Sequence, residues 1–402
     1  MQSLNRLLAL VGFAAAALAG AAEGQGRLIG YRTSTVGPIY EYWSFGDGFV
    51  QPAAQGLDSV TLKSAWQVSI PFGVTVPIGS QWSVDVNGAY ASGQVNLAAP
   101  DPSLHSDHYS LSGISDVLFR LTGHLTRDLI MTVGANAPTG KTSLSSEEYG
   151  ALKVLAAPPL SFQVPTLANG VAGTAGLVYA RPLGTWALAV GASYEFRGSY
   201  TPGATAAGLF VENFAPSDAL RFSLAADGLV GAHGMTFAVS ADVFTTQNQS
   251  TLQGIQQQPV LSKLGPIFTA QWQLRFAAQS FRELTLYAVD RYRTKYQQAG
   301  NTIDGSNANY LDAGLRGVLS MSPSTGILAQ LNFRDQTGLD AERTLSSAGI
   351  VSGALTLGLI QDVGREFSLQ PFVRGQVGRL TSGDRETTAS GVAGGLTFGL
   401  RF

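Results

Sequence analysis

Three stretches of the chain hold residues of a kind that could do chemistry. Ala135-Asn-Ala-Pro-Thr-Gly-Lys-Thr142 has the Gly-Lys-Thr end of a phosphate-binding loop, with alanine in place of the first glycine. Such a loop holds phosphate on backbone N–H groups at the start of a following helix. Here Pro138 interrupts the turn, and a rim turn is the better reading. Asp101-Pro-Ser-Leu-His105-Ser-Asp107-His108 gathers metal-ligand types, but nothing enforces the helix on which His-x-x-His would hold an ion. A solvated loop without metal is expected. Hydrolysis needs a histidine beside a nucleophile or an acid. The four histidines are His105, His108, His124 and His233. His124 has inward parity; Ile130, Thr132 and Gly134 on the neighbouring strand share it, with no obvious nucleophile among them, and His233 lies in a turn. Only the His105/His108 loop leaves room for catalysis, so no enzyme and no cofactor are expected.

The elements that must position these residues are strands. Counting back in twos from the end gives Phe402, Leu400, Phe398, Leu396, Gly394 and Val392, with small or polar residues between them. Alternation this strict marks a β-strand with one apolar face. A C-terminal strand ending on Phe402 resembles that of bacterial outer-membrane barrels, whose last aromatic is the assembly machinery's recognition signal.

The pattern recurs. Trp66, Val68, Ile70, Phe72, Val74 and Val76 share one face, and Trp82, Val84, Val86 and Tyr90 share another across a turn at Gly79-Ser80. Further pairs flank short turns at Thr126–Asp128, Pro182–Gly184, Gly231–Gly234, Ser322–Ser324 and Gly364-Arg365. The intervening connections are long: 46–62, 93–112, 139–170, 198–218, 245–264, 294–308, 335–347 and 380–388. Short turns at one rim and long loops at the other describe an all-β, transmembrane, antiparallel up-and-down β-barrel, with periplasmic turns and extracellular loops. Fifteen strands follow residue 64, and residues 31–46 supply one more, giving about 16 strands. If 31–46 instead folds inward as a plug, the number is 14. Ser145 and Glu148 in loop 139–170 have capping-box spacing, which predicts a short helix. That loop either caps the barrel or folds into it.

Composition fits. Charged residues are 13% of 402, about half the roughly 25% of soluble domains, and there are 48 glycines and no cysteine. Formal net charge is −2, which gives no sign of nucleic-acid binding. Residues 1–22 read as a cleaved secretory signal, with Arg6, an apolar run Leu7–Leu18 and small residues at Ala17–Ala21. The barrel then occupies 23–402.

Parity turns most strand charges away from lipid, where an arginine costs about 2–4 kcal/mol at mid-depth. In the N-terminal half these are Asp85, Asp116, Arg120, Glu195, Arg221, Asp227 and Asp242; in the C-terminal half Arg275, Arg291, Asp312, Arg316, Arg334 and Arg374. One wall is mostly acidic and the other mostly arginine. Either they neutralise one another as salt bridges, or they set a field across a wet pore that filters solutes. Asp312 is placed to pair with Arg291 or Arg316.

Ser112-Gly-Ile-Ser-Asp-Val-Leu-Phe-Arg-Leu121 and Val133-Gly-Ala-Asn-Ala-Pro-Thr-Gly-Lys141 form a pair that resembles a stretch of the phenol-degradation meta-pathway barrels, themselves similar to FadL-type transporters. The resemblance covers residues 112–142. It implies uptake of small hydrophobic or aromatic compounds and transfers no binding residue. The expected partners are outer-membrane lipid and lipopolysaccharide, the barrel-assembly machinery and a small-molecule solute. A passive channel is the leading reading; a closed structural or adhesive barrel is the alternative.

Overall fold

The computed structural model describes residues 35–51, 60–79, 81–101, 106–156, 160–168, 170–200, 203–204, 210–252, 260–338, 348–364, 367–382 and 385–400. The signal segment, His105 and Phe402 lie outside them.

The chain forms one closed antiparallel barrel of sixteen strands. They are β1 Ile39–Gln51, β2 Val60–Ile78, β3 Trp82–Asp101, β4 Ser106–Ile114 and Val117–His124 with a break between, β5 Leu129–Ala137, β6 Ala172–Leu183, β7 Trp186–Arg197 and β8 Ala219–Val230. The second half comprises β9 His233–Phe244, β10 Ile267–Arg275, β11 Phe281–Arg293, β12 Ala308–Ser320, β13 Thr325–Thr337, β14 Ala348–Val363, β15 Phe367–Ser382 and β16 Arg385–Leu400. Each pairs with its sequence neighbours. β1 closes the ring by pairing with β2 on one side and β16 on the other, Tyr42 lying between Trp66 and Val392. Of the stretch weighed as a plug, the part from Ile39 on is therefore a wall strand, and sixteen stands over fourteen.

Period-two alternation fixes which side chains point out. Val74, Val190, Leu224, Leu331, Leu357 and Val373 are exposed on the outer surface, and their sequence neighbours face the lumen. Near the short-turn rim, Trp82 lies over Gly123 and Trp186 over Gly228 on the adjacent strands, each ring filling the space a side chain would take. Pro71 sits in the middle of β2 opposite Ala89. The backbone of Ala89 turns the other way, its N–H to the Ser115 hydroxyl at 2.9 Å and its carbonyl to Ser115 N at 2.7 Å. The missing proline donor thus costs no bond to β3.

The long-loop rim corrects several expected boundaries. Connections 93–112 and 380–388 are mostly strand, because β3 runs to Asp101 and β15 to Ser382. Above Tyr90 the outward residues of β3 are Ser92, Gln94 and Asn96. Alternation fades where lipid ends, but the ladder continues into water. Connections 198–218, 245–264 and 294–308 contribute a second, six-stranded sheet with segments Phe210–Ala215, Asn248–Leu252 and Val260–Lys263 at its centre.

Candidate functional site

The lumen is narrowed by the connection between β5 and β6. Its helix, α1 (Ser146–Leu155), begins with the expected capping box: Ser145 Oγ accepts from Glu148 N, and the Glu148 carboxylate accepts from Ser145 N at 2.9 Å. Ala151, Val154 and Leu155 form its buried face. They pack on lumen-facing Leu62, Ala65, Val95, Leu97, Tyr109 and Leu111 of β2, β3 and β4. The loop therefore folds inward.

The returning segment, 160–167, is held by polar bonds to the inner wall. The Trp43 indole donates to the Leu160 carbonyl at 3.0 Å. The Gln67 amide makes two bonds to one residue, donating to Val164 O at 2.7 Å and accepting from Val164 N at 2.9 Å. It thus offers the loop the donor and acceptor of a missing strand neighbour. Glu41 accepts from Gln163 N at 2.7 Å with one oxygen and from Arg374 at 2.8 Å with the other. Buried backbone groups need such partners, and here side chains of β1 and β2 provide them.

Two glycines make room. A Cβ on Gly93 would come within 2.7 Å of Leu155 Cδ1, so α1 seats directly against β3. A Cβ on Gly140 would lie 2.0 Å from the Leu167 carbonyl oxygen, where the two roots of the loop pass each other. On α1 itself, Lys153 extends over the Tyr149 ring, Nζ 4.8 Å from its centroid. Burial pulls the Lys153 ammonium down to about 8, because an uncompensated cation is poorly solvated there.

The remaining wall carries the charges. Most lumen-facing ions are matched on the same or a nearby strand, not across the pore. Arg120 meets Asp85 at 3.0 Å, Arg221 meets Asp242 at 2.8 Å through Nη2, and Arg197 meets Glu195 at 2.9 Å. Arg275 reaches Asp227 at 3.2 Å, and Arg316 bonds Glu283. Asp312 takes Arg334 at 3.3 Å, the Tyr310 hydroxyl at 3.0 Å and the Asn332 amide at 2.6 Å. Its partner is thus Arg334, in register across β12 and β13, and not Arg291 or Arg316. Arg291 shares the electrostatic neighbourhood of Asp242, Arg221 and Arg197. The division into an acidic and an arginine wall gives way to local pairs, since a buried charge is costly unless its counter-ion is adjacent.

Between the layer at Arg221–Asp242 and that at Asp227–Arg275 the wall is smooth. Val178, Ala189, Ala225 and Ala238 line it with Ile130, and Ser223, Ser240, Thr269 and Gln271 adjoin them. This patch lies on β5 to β10, whereas the loop joining β5 to β6 packs on β1 to β4 and on β14 to β16.

Other flagged residues take no part. His108 Nδ1 is 2.7 Å from the Asp107 carboxylate on an exposed strand end, and that contact holds Asp107 below the usual carboxylate range. His233 accepts from Ala277 N at 3.2 Å. Residues 138–145 carry no helix against Gly140-Lys141, so the phosphate-loop spelling has no cradle. Asp116, expected to line the lumen as a strand charge, instead sits in the break of β4 and bonds the loop. Glu41, Gln67, Glu283 and Arg293 were not singled out in the sequence. A signal for the first existed: Glu41 is the one acid in an aromatic run, and Trp43 and Phe45 share its inward parity.

No family model matches the chain, and no curated protein matches it. The motif resemblance of residues 112–142 therefore rests on those residues alone. Among solved structures, the low-pH structure of Pseudomonas putida OprB is similar with a TM-score of 0.46 at 10% identity, over 90% of this chain and 91% of that one. OmpT of Vibrio cholerae gives 0.40 at 8% identity, over 90% and 96%. An anion-selective porin from Comamonas acidovorans gives 0.38 at 10%, over 91% and 98%. These likenesses are of outline only; the strand number rests on the hydrogen-bonded register of this chain.

Proposed function

We propose that the protein is a passive outer-membrane channel for small solutes, with its bore set by the inward loop 139–170. The observation that carries the reading is the docking of that loop on lumen-facing Trp43, Glu41 and Gln67. A sixteen-stranded barrel is wide enough for an aqueous channel, and a loop packed on one side of it narrows the path without needing to close it. The closed ring and apolar outer band are consistent with an outer-membrane site.

Locally paired charges support weak selectivity between ions, because each guanidinium's field is largely cancelled nearby. The patch of Ile130, Val178, Ala189, Ala225 and Ala238 suits a solute with a compact apolar body. Small neutral aromatic alcohols are the substrate class this favours over sugars of similar size. The reading involves no catalytic step and no cofactor.

Single-channel recording in planar bilayers, followed by liposome swelling with benzyl alcohol derivatives against sugars, tests it. Steady conductance with faster aromatic entry is the expected result. A barrel that inserts without conducting would favour the closed structural or adhesive alternative.

A further inference from the structure

We infer that Asp116 is the positioning residue of the constriction: it clasps the two roots of the inward loop and so sets how far the loop stands from the wall. The inference rests on the channel reading for its consequence, but not for its geometry.

The clasp occupies a flaw in the ladder. Tyr90 pairs with Ile114 and Asn87 with Leu118, so two residues of β3 oppose three of β4. This is a bulge, a device that re-aims side chains. Asp116 is thereby freed from strand pairing and turned toward the loop. One carboxylate oxygen accepts from Gly140 N at 2.9 Å, and the other from the Asn136 side chain at 3.0 Å. Its own N–H donates to the Leu167 carbonyl at 2.8 Å. The same Asn136 amide donates to Gly170 O at 2.9 Å. A single residue thus ties the departing root, 136–140, to the returning root at Leu167, and Asn136 extends the tie to Gly170.

Bonds to a carboxylate are about twice as strong as neutral ones. The wall does not depend on them. β4 pairs with β3 on both sides of the break, and β5 pairs with β4 from Val117 onward. Loss of the side chain should therefore loosen the departing root, leaving the backbone bond to Leu167, the bonds from Trp43, Gln67 and Glu41, and the barrel in place. This also gives a physical account of the Gly-x-x-Asp-Val and Pro-Thr-Gly-Lys spellings: they are two halves of one fastening. Gly140 is part of it, because a side chain there would strike the Leu167 carbonyl.

The test compares wild type with Asp116→Ala and Asp116→Asn. Asp116→Ala should keep the heat-modifiable gel shift of a folded barrel, cleave about tenfold faster in residues 139–170 under limited proteolysis, and show higher, flickering conductance. Asp116→Asn keeps one acceptor and should fall between. The chain has no cysteine, so Gly93→Cys with Leu155→Cys, bridged by a short bis-methanethiosulfonate whose two methanesulfinates leave, should bring the conductance of Asp116→Ala back toward wild type. Unchanged cleavage and conductance in Asp116→Ala would overturn the clasp. A wild type that never conducts sinks the channel reading, while cleavage rates still decide the clasp. If Asp116→Ala does not fold, Gly140→Ala tests the same fastening from its other half, with wild-type cleavage again overturning it.

Discussion

Glu41 and Arg374 meet over the seam of the barrel, at 2.8 Å, with Ala393 of the closing strand between them in register. Their pairing joins the first strand to the fifteenth, and the other Glu41 oxygen reaches the loop. Glu41 is buried in this arrangement, so removal of Arg374 leaves a carboxylate with its counter-ion gone. Arg374→Gln should cost about 3–5 kcal/mol of unfolding free energy, read from urea titration of the refolded barrel. The Glu41→Gln/Arg374→Gln double variant should lose less than the two single losses added. Strict additivity would mean that the two groups act independently.

The Asp312–Arg334 pair predicts a selectivity pattern. Arg334→Gln leaves Asp312 uncancelled in the lumen and should move the reversal potential toward cations in a salt gradient. Asp312→Asn should move it toward anions. The double variant should sit close to wild type. Identical potentials in all four proteins would place this pair off the conducting path.

Facing gives the third prediction. Leu331→Arg and Phe268→Arg put a guanidinium on the outer apolar surface, where 57% and 50% of these residues is exposed. Each should destabilise by about 2–4 kcal/mol if it lies near mid-membrane. Gln271→Arg, inward on the same strand as Phe268, should cost far less. Gln330 is a poor control, because its amide is buried and donates to the Tyr287 hydroxyl at 2.9 Å.

Loop docking should respond to alkali through Lys153. Its folded-state value is lowered from 10.5 to about 8 by burial. Between those values the undocked lysine binds more protons than the docked one, so docking strengthens as pH rises through that window. Open-channel noise should fall from pH 7 to pH 10 and stay constant in Lys153→Met. A rise in noise with pH would reverse the assigned sign.

Much of the wall was legible because lipid imposes a two-residue period on one face. Val190, Leu224 and Leu357 could hardly have been read otherwise. The period fails where both faces are wet, which is why Gln94 and Asn96 looked like loop although β3 continues through them. It also misleads where the lumen is apolar. Val95, Leu97, Tyr109 and Leu111 occupy inward positions, and that breach of the expected polar interior was the trace of a loop packed inside. Side-chain matching in space, such as Gln67 with Val164 at a separation of 97 residues, leaves no mark in the spacing.

The seat of that loop has a consequence for the order of events during folding. Its walls come from both chain ends: Trp43 and Phe45 near the start, Leu380 and Ala389 near the end, all in one apolar cluster with α1. Until the terminal strands meet, the side of the seat made by Ile350, Leu380 and Ala389 is missing. Narrowing of the bore is thus a late step, gated by the slowest and most distant pairing in the chain. A chain arrested before seam closure would be an open, curved sheet whose loop is still open to proteases. Loss of that cleavage therefore serves as a clock for completed assembly.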